Sequence, residues 1–404
     1  MLMNRLAVCI TGGGFSNKGA EAMVLTVVDA ICRRLPDVNI YIHVHQRDFE
    51  QARDNGLLPV KKGQPTSMIS RLASKIRTAS MYYKCRAFID VGGYQFGDPW
   101  GAQLAERKTR SLRHCDRFGN LIFFMPQAWG PFSTARISKA VHSIIDDCTL
   151  AFVRDKTSLQ AVEHIVGKNH SKVRFAHDIA WNFRGADLSV GRQLIQDGGL
   201  LKRDNSITIG ITPNLRVYEK FEGAKQENQY IKFLRDIIQH LCSAHSAQII
   251  LLGHEIRQDN SKVKDDRTLC NYLLSSLDRS LPVIHLDRVL TAAQVKSVIG
   301  NCDLLLSSRY HALIAGLSQG IPVVAIGWSH KYDELMNDVG LDSYVIRVEN
   351  GVEKATSHLD EILSRMPDVW RIVAGKTTAM KQSGQQALDE VIDLISKKRI
   401  SAPV

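Results

Sequence analysis

Three side chains in the last third of the chain have the types and spacing to handle a small anion. Arg309, His311 and Lys331 fall within DLLLSSRYHALIAGLSQGIPVVAIGWSHKYDEL, residues 303–335. A guanidinium presents a fork of N–H donors to a carboxylate or phosphate, an ammonium adds a mobile point charge, and an imidazole exchanges a proton near neutral pH. Together they suit binding an anion and protonating it. From Leu304 through Lys331 the sequence contains no Asp or Glu, so these cations have no local partner, and unpaired positive charge is a mark of function. A structural alternative stays open, in which Arg309 pairs with a distant carboxylate and His311 caps a helix.

The elements around these residues follow from the apolar pattern. DLLLS reads as a buried strand, SSR as a turn, YHALIAGLSQ as a short helix closed by Gly320, and IPVVAI as the next strand, a β-α-β unit. That puts Arg309 and His311 at a helix N-terminus, where free N–H groups and the helix dipole favour an anion, and returns Lys331 to the same edge. The rhythm recurs along the chain. LAVCIT (6–11), RAFIDV (86–91), NLIFFM (120–125), TLAFV (149–153) and VRFA (173–176) form one series of strands. SITIGIT (206–212), QIILLG (248–253), PVIHL (282–286), DLLLS (303–307) and PVVAI (322–326) form a second. The pattern predicts an α/β protein of two doubly wound Rossmann-like domains facing a cleft, residues 1–184 and 206–404, joined by a polar, weakly periodic linker at 185–205.

Open α/β sheets bind ligands at the carboxyl ends of their strands, so the loops there supply the remaining candidates. After the first strand, TGGGFSNKGAEAM fails both the G-x-G-x-x-G dinucleotide pattern and the P-loop. What is left is a glycine-rich turn that could hold an anion or a polar sugar with Asn17 and Glu21, or a tight turn with no ligand. Later loops carry Gln95 and Asp98, Arg154 and Asp155, Asp178, Arg216, and His254 with Glu255. Arg154 either faces a ligand or pairs with Asp155 at the start of the next helix.

Composition sets limits on function. The chain has 404 residues, 44% hydrophobic and 23% charged, with no apolar run long enough to span a membrane, and its N-terminus reads as a strand and not as a signal peptide. These features predict a cytoplasmic protein. The eight cysteines are scattered without zinc-ligand spacing, which predicts reduced core thiols and no metal site. A net charge of +11 calls for an acidic partner. No nucleic-acid-binding signature accompanies it, so nucleic acid is not expected. Residues 60–89 carry seven Lys or Arg and no acid, with apolar residues at helical spacing. Such a helix suits an anionic membrane surface, or equally packs its apolar side on the first domain.

The motifs taken together resemble the polysaccharide pyruvyl transferases. SSRYHALIAGLSQGIPVVAIGWSHK is similar to that family's signature, and GGFSNKGAEAM, VGGYQFGD, PQAWGP and FVRDKTS are similar to its other blocks in the expected order. The resemblance implies a GT-B-like fold and a transferase of polysaccharide biosynthesis that moves the pyruvyl group of phosphoenolpyruvate onto a sugar as a ketal. It implies His311, Arg309 and Lys331 as catalytic residues, and phosphoenolpyruvate bound by Arg309, Lys331, Arg154 and Arg216. The acceptor, free or lipid-linked, would then meet Asn17, Glu21, Gln95, Asp98, Asp178, His254 and Glu255. Phosphoenolpyruvate is a substrate here, and no cofactor is implied. A place on the inner face of the cell membrane would suit a lipid-linked acceptor. Ala20, Tyr94, Ile179 and Trp328 depart from the family pattern. A GT-B glycosyltransferase using a nucleotide sugar and a non-catalytic carbohydrate-binding protein are the rival readings.

Overall fold

The computed structural model describes residues 6–61, 81, 83–200, 206–259 and 264–400. Most of the basic stretch 60–89, namely 62–80 and 82, lies outside the described residues. The chain divides into two compact units. The first comprises Met1–Phe15, Met23–Phe183 and Met380–Val404, the second Ser16–Ala22 and Arg184–Ala379. This departs from a cut at the linker in two places. Residues 16–22 fold with the second unit and 380–404 with the first.

The first unit is built on a parallel sheet. Its strands are β1 (Ala7–Thr11), β2 (Asn39–Val44), β3 (Leu58–Lys61), β4 (Ala87–Asp90), β6 (Leu121–Trp129), β7 (Leu150–Val153) and β8 (Val173–Phe175), in the order β3-β2-β1-β4-β6-β7-β8, with β5 (Tyr94–Phe96) beside β6. Asn39–Val44 and Leu58–Lys61 are strands the apolar-run reading did not find. The first alternates buried with half-buried residues, and the second is a half-exposed edge carrying Pro59, where a missing N–H is tolerated.

The second unit also has a wholly parallel sheet, of β9 (Thr208–Thr212), β10 (Gln248–Leu251), β11 (Val283–His285), β12 (Leu304–Ser307), β13 (Val323–Ile326) and β14 (Val345–Ile346). The order is β11-β10-β9-β12-β13-β14. Numbered within the unit, that is 3-2-1-4-5-6, the Rossmann order, whose direction reverses between its first and fourth strands. β9, β10, β12 and β13 are buried throughout, as expected where helices cover both faces and the strands read as unbroken apolar runs. The stretch 185–205 is not simply a linker. It contains the helix Leu188–Asp197, capped by Asp187, whose Gly191 packs so closely on helix Ala292–Ile299 that a Cβ would lie 2.4 Å from the Ser297 carbonyl. Only Gly191 and Ile195 of that helix are buried, which is why its periodicity is weak. No helix among the described residues is long and apolar enough to cross a membrane.

Candidate active site

The reversal of strand order in the second unit falls between β9 and β12, and the polar residues of interest gather at the carboxyl ends of these two strands. Thr212 and Ser307, the last residues of β9 and β12, are joined by a hydroxyl-hydroxyl hydrogen bond. Ser307 Oγ then accepts the backbone N–H of Arg309 at 2.9 Å. Arg309 is the extended N-cap residue of helix Tyr310–Leu317, so its side chain leaves the helix and turns to the neighbouring loops.

There it meets two carboxylates. Nη1 lies 3.1 Å from Glu255 Oε2, and Nη2 donates to Asp266 Oδ1. Arg309 has no local carboxylate, but it pairs with distant ones, the structural alternative left open by the sequence. The partners lie 54 and 43 residues upstream, beyond the reach of a local reading, and they arrive because β10 and β12 both flank β9. Burial works against the Arg309 charge, but Asp266 and Glu255 outweigh it and hold the guanidinium above its ordinary pKa. Its Nε is buried without a hydrogen-bond partner among the described residues.

Asp266 is the base of this arrangement. Fully buried, it accepts Arg309 together with the backbone N–H groups of Glu255 at 2.7 Å, His254 at 3.2 Å and Leu215 at 3.2 Å. A carboxylate with this many donors is fixed in place. His254, 4% exposed, has its imidazole pKa pushed well below the ordinary value by burial and then by the charges of Arg309, His311 and Lys18. It is neutral at neutral pH.

Residues 16–22, which end the glycine-rich turn and begin helix Lys18–Arg34, complete the cluster. Asn17 forms an isolated antiparallel bridge with Glu255, Lys18 donates its backbone N–H to the His254 carbonyl at 2.9 Å, and Ile256 donates to Ser16 at 2.8 Å. Asn17 Oδ1 accepts from Gly19 and Ala20 at 3.0 and 3.2 Å, capping helix Lys18–Arg34. Lys18 and Glu21, both nearly wholly buried, pair at 2.7 Å, and Glu21 Oε1 also accepts the N–H of Ala292 at 2.9 Å. Gly19 faces His311. A Cβ on Gly19 would stand 2.2 Å from His311 Cγ and 2.3 Å from Nδ1, so only glycine lets the imidazole lie there.

Lys331 is the second residue of helix His330–Asp338. Its ammonium lies over the rings of Trp328, Tyr332 and Tyr310, at 5.0, 5.4 and 5.8 Å from their centroids, positions that favour a cation. Tyr310 meets His311 edge-on at 5.4 Å, so Lys331 and His311 both neighbour one ring. The turn beneath them is held rigidly, because the Ser308 carbonyl accepts from Tyr332 Oη at 2.6 Å and Asn214 Nδ2 at 2.7 Å. Arg216 stands apart, exposed on the surface and paired with Glu219 at 3.0 Å.

The other sequence candidates belong to the first unit. Arg154 and Asp178 form a buried ion pair at 2.8 Å, and Asp178 also accepts from the Ala180 N–H. Asp155 caps the following helix through Ser158, so neither of the two sequence readings of Arg154 describes its partner. Asp98 accepts the Ser133 N–H. Gln95 lines a cavity of about 360 Å³ with Thr11, Gly12, Asp90, Lys108 and Ser111. Asp90 and Thr11 end β4 and β1, where the order of this sheet also reverses. Asp90 accepts Lys108 at 2.5 Å and Thr11 at 2.8 Å. Burial raises its pKa, but Lys108 and these hydrogen bonds prevail and hold its carboxyl below the usual range.

Lys18, Asp266, Asp90 and Lys108 were missed in the sequence. Asp90 left a signal as a carboxylate ending an apolar strand. Lys18 left no signal, because a lysine in a polar stretch shows its burial only in the fold.

The chain is 24% identical over 309 residues to the amylovoran biosynthesis protein AmsJ of Erwinia amylovora, covering 72% of this chain and 71% of that protein. In fold it is similar to HepE of Anabaena, solved in complex with UDP and glucose, with a TM-score of 0.60 at 12% identity over 97% of this chain and 100% of that one. It is similar also to the UDP-GlcNAc 2-epimerase of Methanocaldococcus jannaschii, with a TM-score of 0.60 at 10% identity over 96% and 99% of the two chains. Likeness at this level is one of fold, the GT-B-like pairing of two Rossmann-like domains. Residues 17–330 match the family model of the polysaccharide pyruvyl transferases, a span that holds Arg309, His311 and Gly19. The chain belongs to the polysaccharide pyruvyl transferase family, transferases of polysaccharide biosynthesis.

Proposed function

We propose that the protein moves the pyruvyl group of phosphoenolpyruvate onto two hydroxyls of a sugar, in a glycan or its precursor, as a cyclic ketal with release of inorganic phosphate. A proton added to the terminal methylene makes C2 electrophilic. One sugar hydroxyl adds to C2, the C2–O bond to phosphate breaks, and the second hydroxyl closes the ketal. Of the two hydroxyl protons, one replaces the proton given to the methyl group and the other leaves with phosphate.

His311 is the proton donor in this reading, and its seat against Gly19 is the observation that carries it. Burial keeps the neighbouring imidazole of His254 neutral, so His254 offers a hydrogen bond and not a proton. Lys331 supplies charge to the donor's phosphate or carboxylate. Arg309 has both terminal nitrogens committed to carboxylates. Its part is to hold the site's loops and to offer Nε and a fixed positive field, not a free fork. Arg154 pairs with Asp178 and Arg216 with Glu219, and the donor site we propose does without them.

For the saccharide we propose Gln95 with Asp90 and Lys108, which line a cavity together with Phe88, Phe96 and Phe124 and present the amide and charged groups that sugar hydroxyls pair with. Asn17, Glu21, Asp98 and Asp178 hold backbone N–H groups or an ion pair and act as supports.

Thermal unfolding with ligands tests the donor. At a free concentration 100 times its Kd a ligand stabilises the fold by about 2.7 kcal/mol. Phosphoenolpyruvate is expected to raise Tm while UDP-glucose does not. The reverse result would overturn the proposal in favour of a nucleotide-sugar glycosyltransferase.

A further inference from the structure

Away from these sites, the second unit brings two imidazoles and a carboxylate to one point. His240 and His245, near and at the end of helix Gln229–His245, both direct Nε2 at Oδ1 of Asp360 on helix Val352–Ser364, at 2.7 and 2.6 Å. The two rings stand 5.8 Å apart between centroids, inclined by 64°, so they approach the shared oxygen from different directions. Among the described residues this is the one group of three His, Cys, Asp or Glu side chains whose ligand atoms all lie within 4.8 Å of one another.

We propose that His240, His245 and Asp360 bind a divalent transition cation of the zinc class, pinning the two helices together. Zinc takes imidazole nitrogen and carboxylate oxygen at about 2.0–2.2 Å in a tetrahedron, which sets ligand atoms about 3.3–3.5 Å apart. The two nitrogen–oxygen separations, 2.7 and 2.6 Å, need only open by less than about 1 Å, and the two Nε2 atoms lie within 4.8 Å of each other, adjustments that small side-chain rotations provide. All three residues are partly exposed, so water completes the shell. Binding needs a lone pair on each Nε2, and the proton each donates to Asp360 moves to Nδ1, leaving both rings neutral.

Zinc spacing in the sequence did not reveal the site, because a separation of five positions between the histidines is not a helix-face interval and Asp360 follows 115 residues later. The helix ends at His245, with Ser246 in the left-handed region at φ +50°. The site contains none of the residues assigned to pyruvyl transfer, so the inference stands or falls independently of that reading.

The test is calorimetric titration of the tag-free, chelator-stripped chain with zinc sulfate at pH 7.5, alongside Asp360→Asn and His245→Gln. The expected result is one zinc per chain, a rise in Tm with zinc, and affinity lowered by about tenfold or more in each variant. Circular dichroism of both variants without metal checks that they fold. Absence of saturable binding to the wild type, or binding of equal affinity in two folded variants, would overturn the proposal.

Discussion

The imidazole of His311 rests on the α-carbon of Gly19, at a place where any Cβ would fall within 2.5 Å of three of its atoms. Those residues are 292 positions apart in the chain (311 − 19), yet both belong to the second unit. Residues 16–22 thus help to orient the proposed acid, and the glycine is explained by packing and not by phosphate binding.

Gly19→Ala follows directly. The added methyl must push the imidazole or residues 16–22 aside, and overpacking of this kind costs about 1–3 kcal/mol. Turnover is expected to fall by about 100-fold, since a misplacement of that size at a reacting group has that effect. Steady-state kinetics with Tm of the purified variant checks it. Wild-type turnover would show that His311 need not lie where Gly19 lets it.

Asp266→Asn leaves the shape of the side chain but removes the charge beneath Arg309. Breaking a buried pair from one side costs about 3–5 kcal/mol, and the His254 and Glu255 backbone loses its acceptor as well. Urea unfolding is expected to show a loss of that order. A change below about 1 kcal/mol would mean that the Arg309 charge is satisfied elsewhere.

Much of the fold was legible because parallel strands buried on both faces write themselves as apolar runs, as IIL does in β10 and LLL in β12. The strands that escaped are those less fully buried: β2 with alternating exposure, the edge strand with Pro59, and the short strands β5 and β14. The helix at 188–197 escaped because it buries only two residues. At the site, Arg309, His311 and Lys331 were legible from charge type and position at a strand end. Their settings were not. The partners of Arg309 come from the loop after β10 and from Asp266 ahead of the next helix, and no spacing rule connects them to it. Asn17 and Glu21 look like ligand groups in a glycine-rich loop, yet their oxygens accept backbone N–H groups.

Stability should fall on mild acidification. His254 in the folded protein resists protonation through burial and its cationic neighbours, whereas in the unfolded chain it takes a proton near about pH 6.5. Below that pH the unfolded state binds more protons, so the contribution is intact above about 6.5 and erodes as pH falls toward the depressed folded value. His285, lowered to about 4 mainly by burial, acts in the same direction. Urea unfolding at pH 7.5 and 5.5 is expected to show a smaller difference for His254→Gln than for the wild type. Equal differences would contradict the assignment.

Lys331→Met keeps much of the side chain's packing on Trp328 and Tyr332 while removing its charge. Phosphoenolpyruvate affinity is expected to drop about tenfold, or about 1.4 kcal/mol, in calorimetric titration. Unchanged affinity would take Lys331 out of the donor site.

The central claim is that His311 protonates phosphoenolpyruvate, and His311→Ala measures it most directly. Two quantities are needed: the phosphoenolpyruvate Kd by calorimetry, and phosphate release in the presence of glycans from the producing cell. A positioned acid contributes about 10²–10⁴ in rate. The variant is predicted to bind phosphoenolpyruvate within a few-fold of the wild type while turning over at least about 100-fold more slowly. Near-normal turnover in a variant that binds phosphoenolpyruvate would contradict the account.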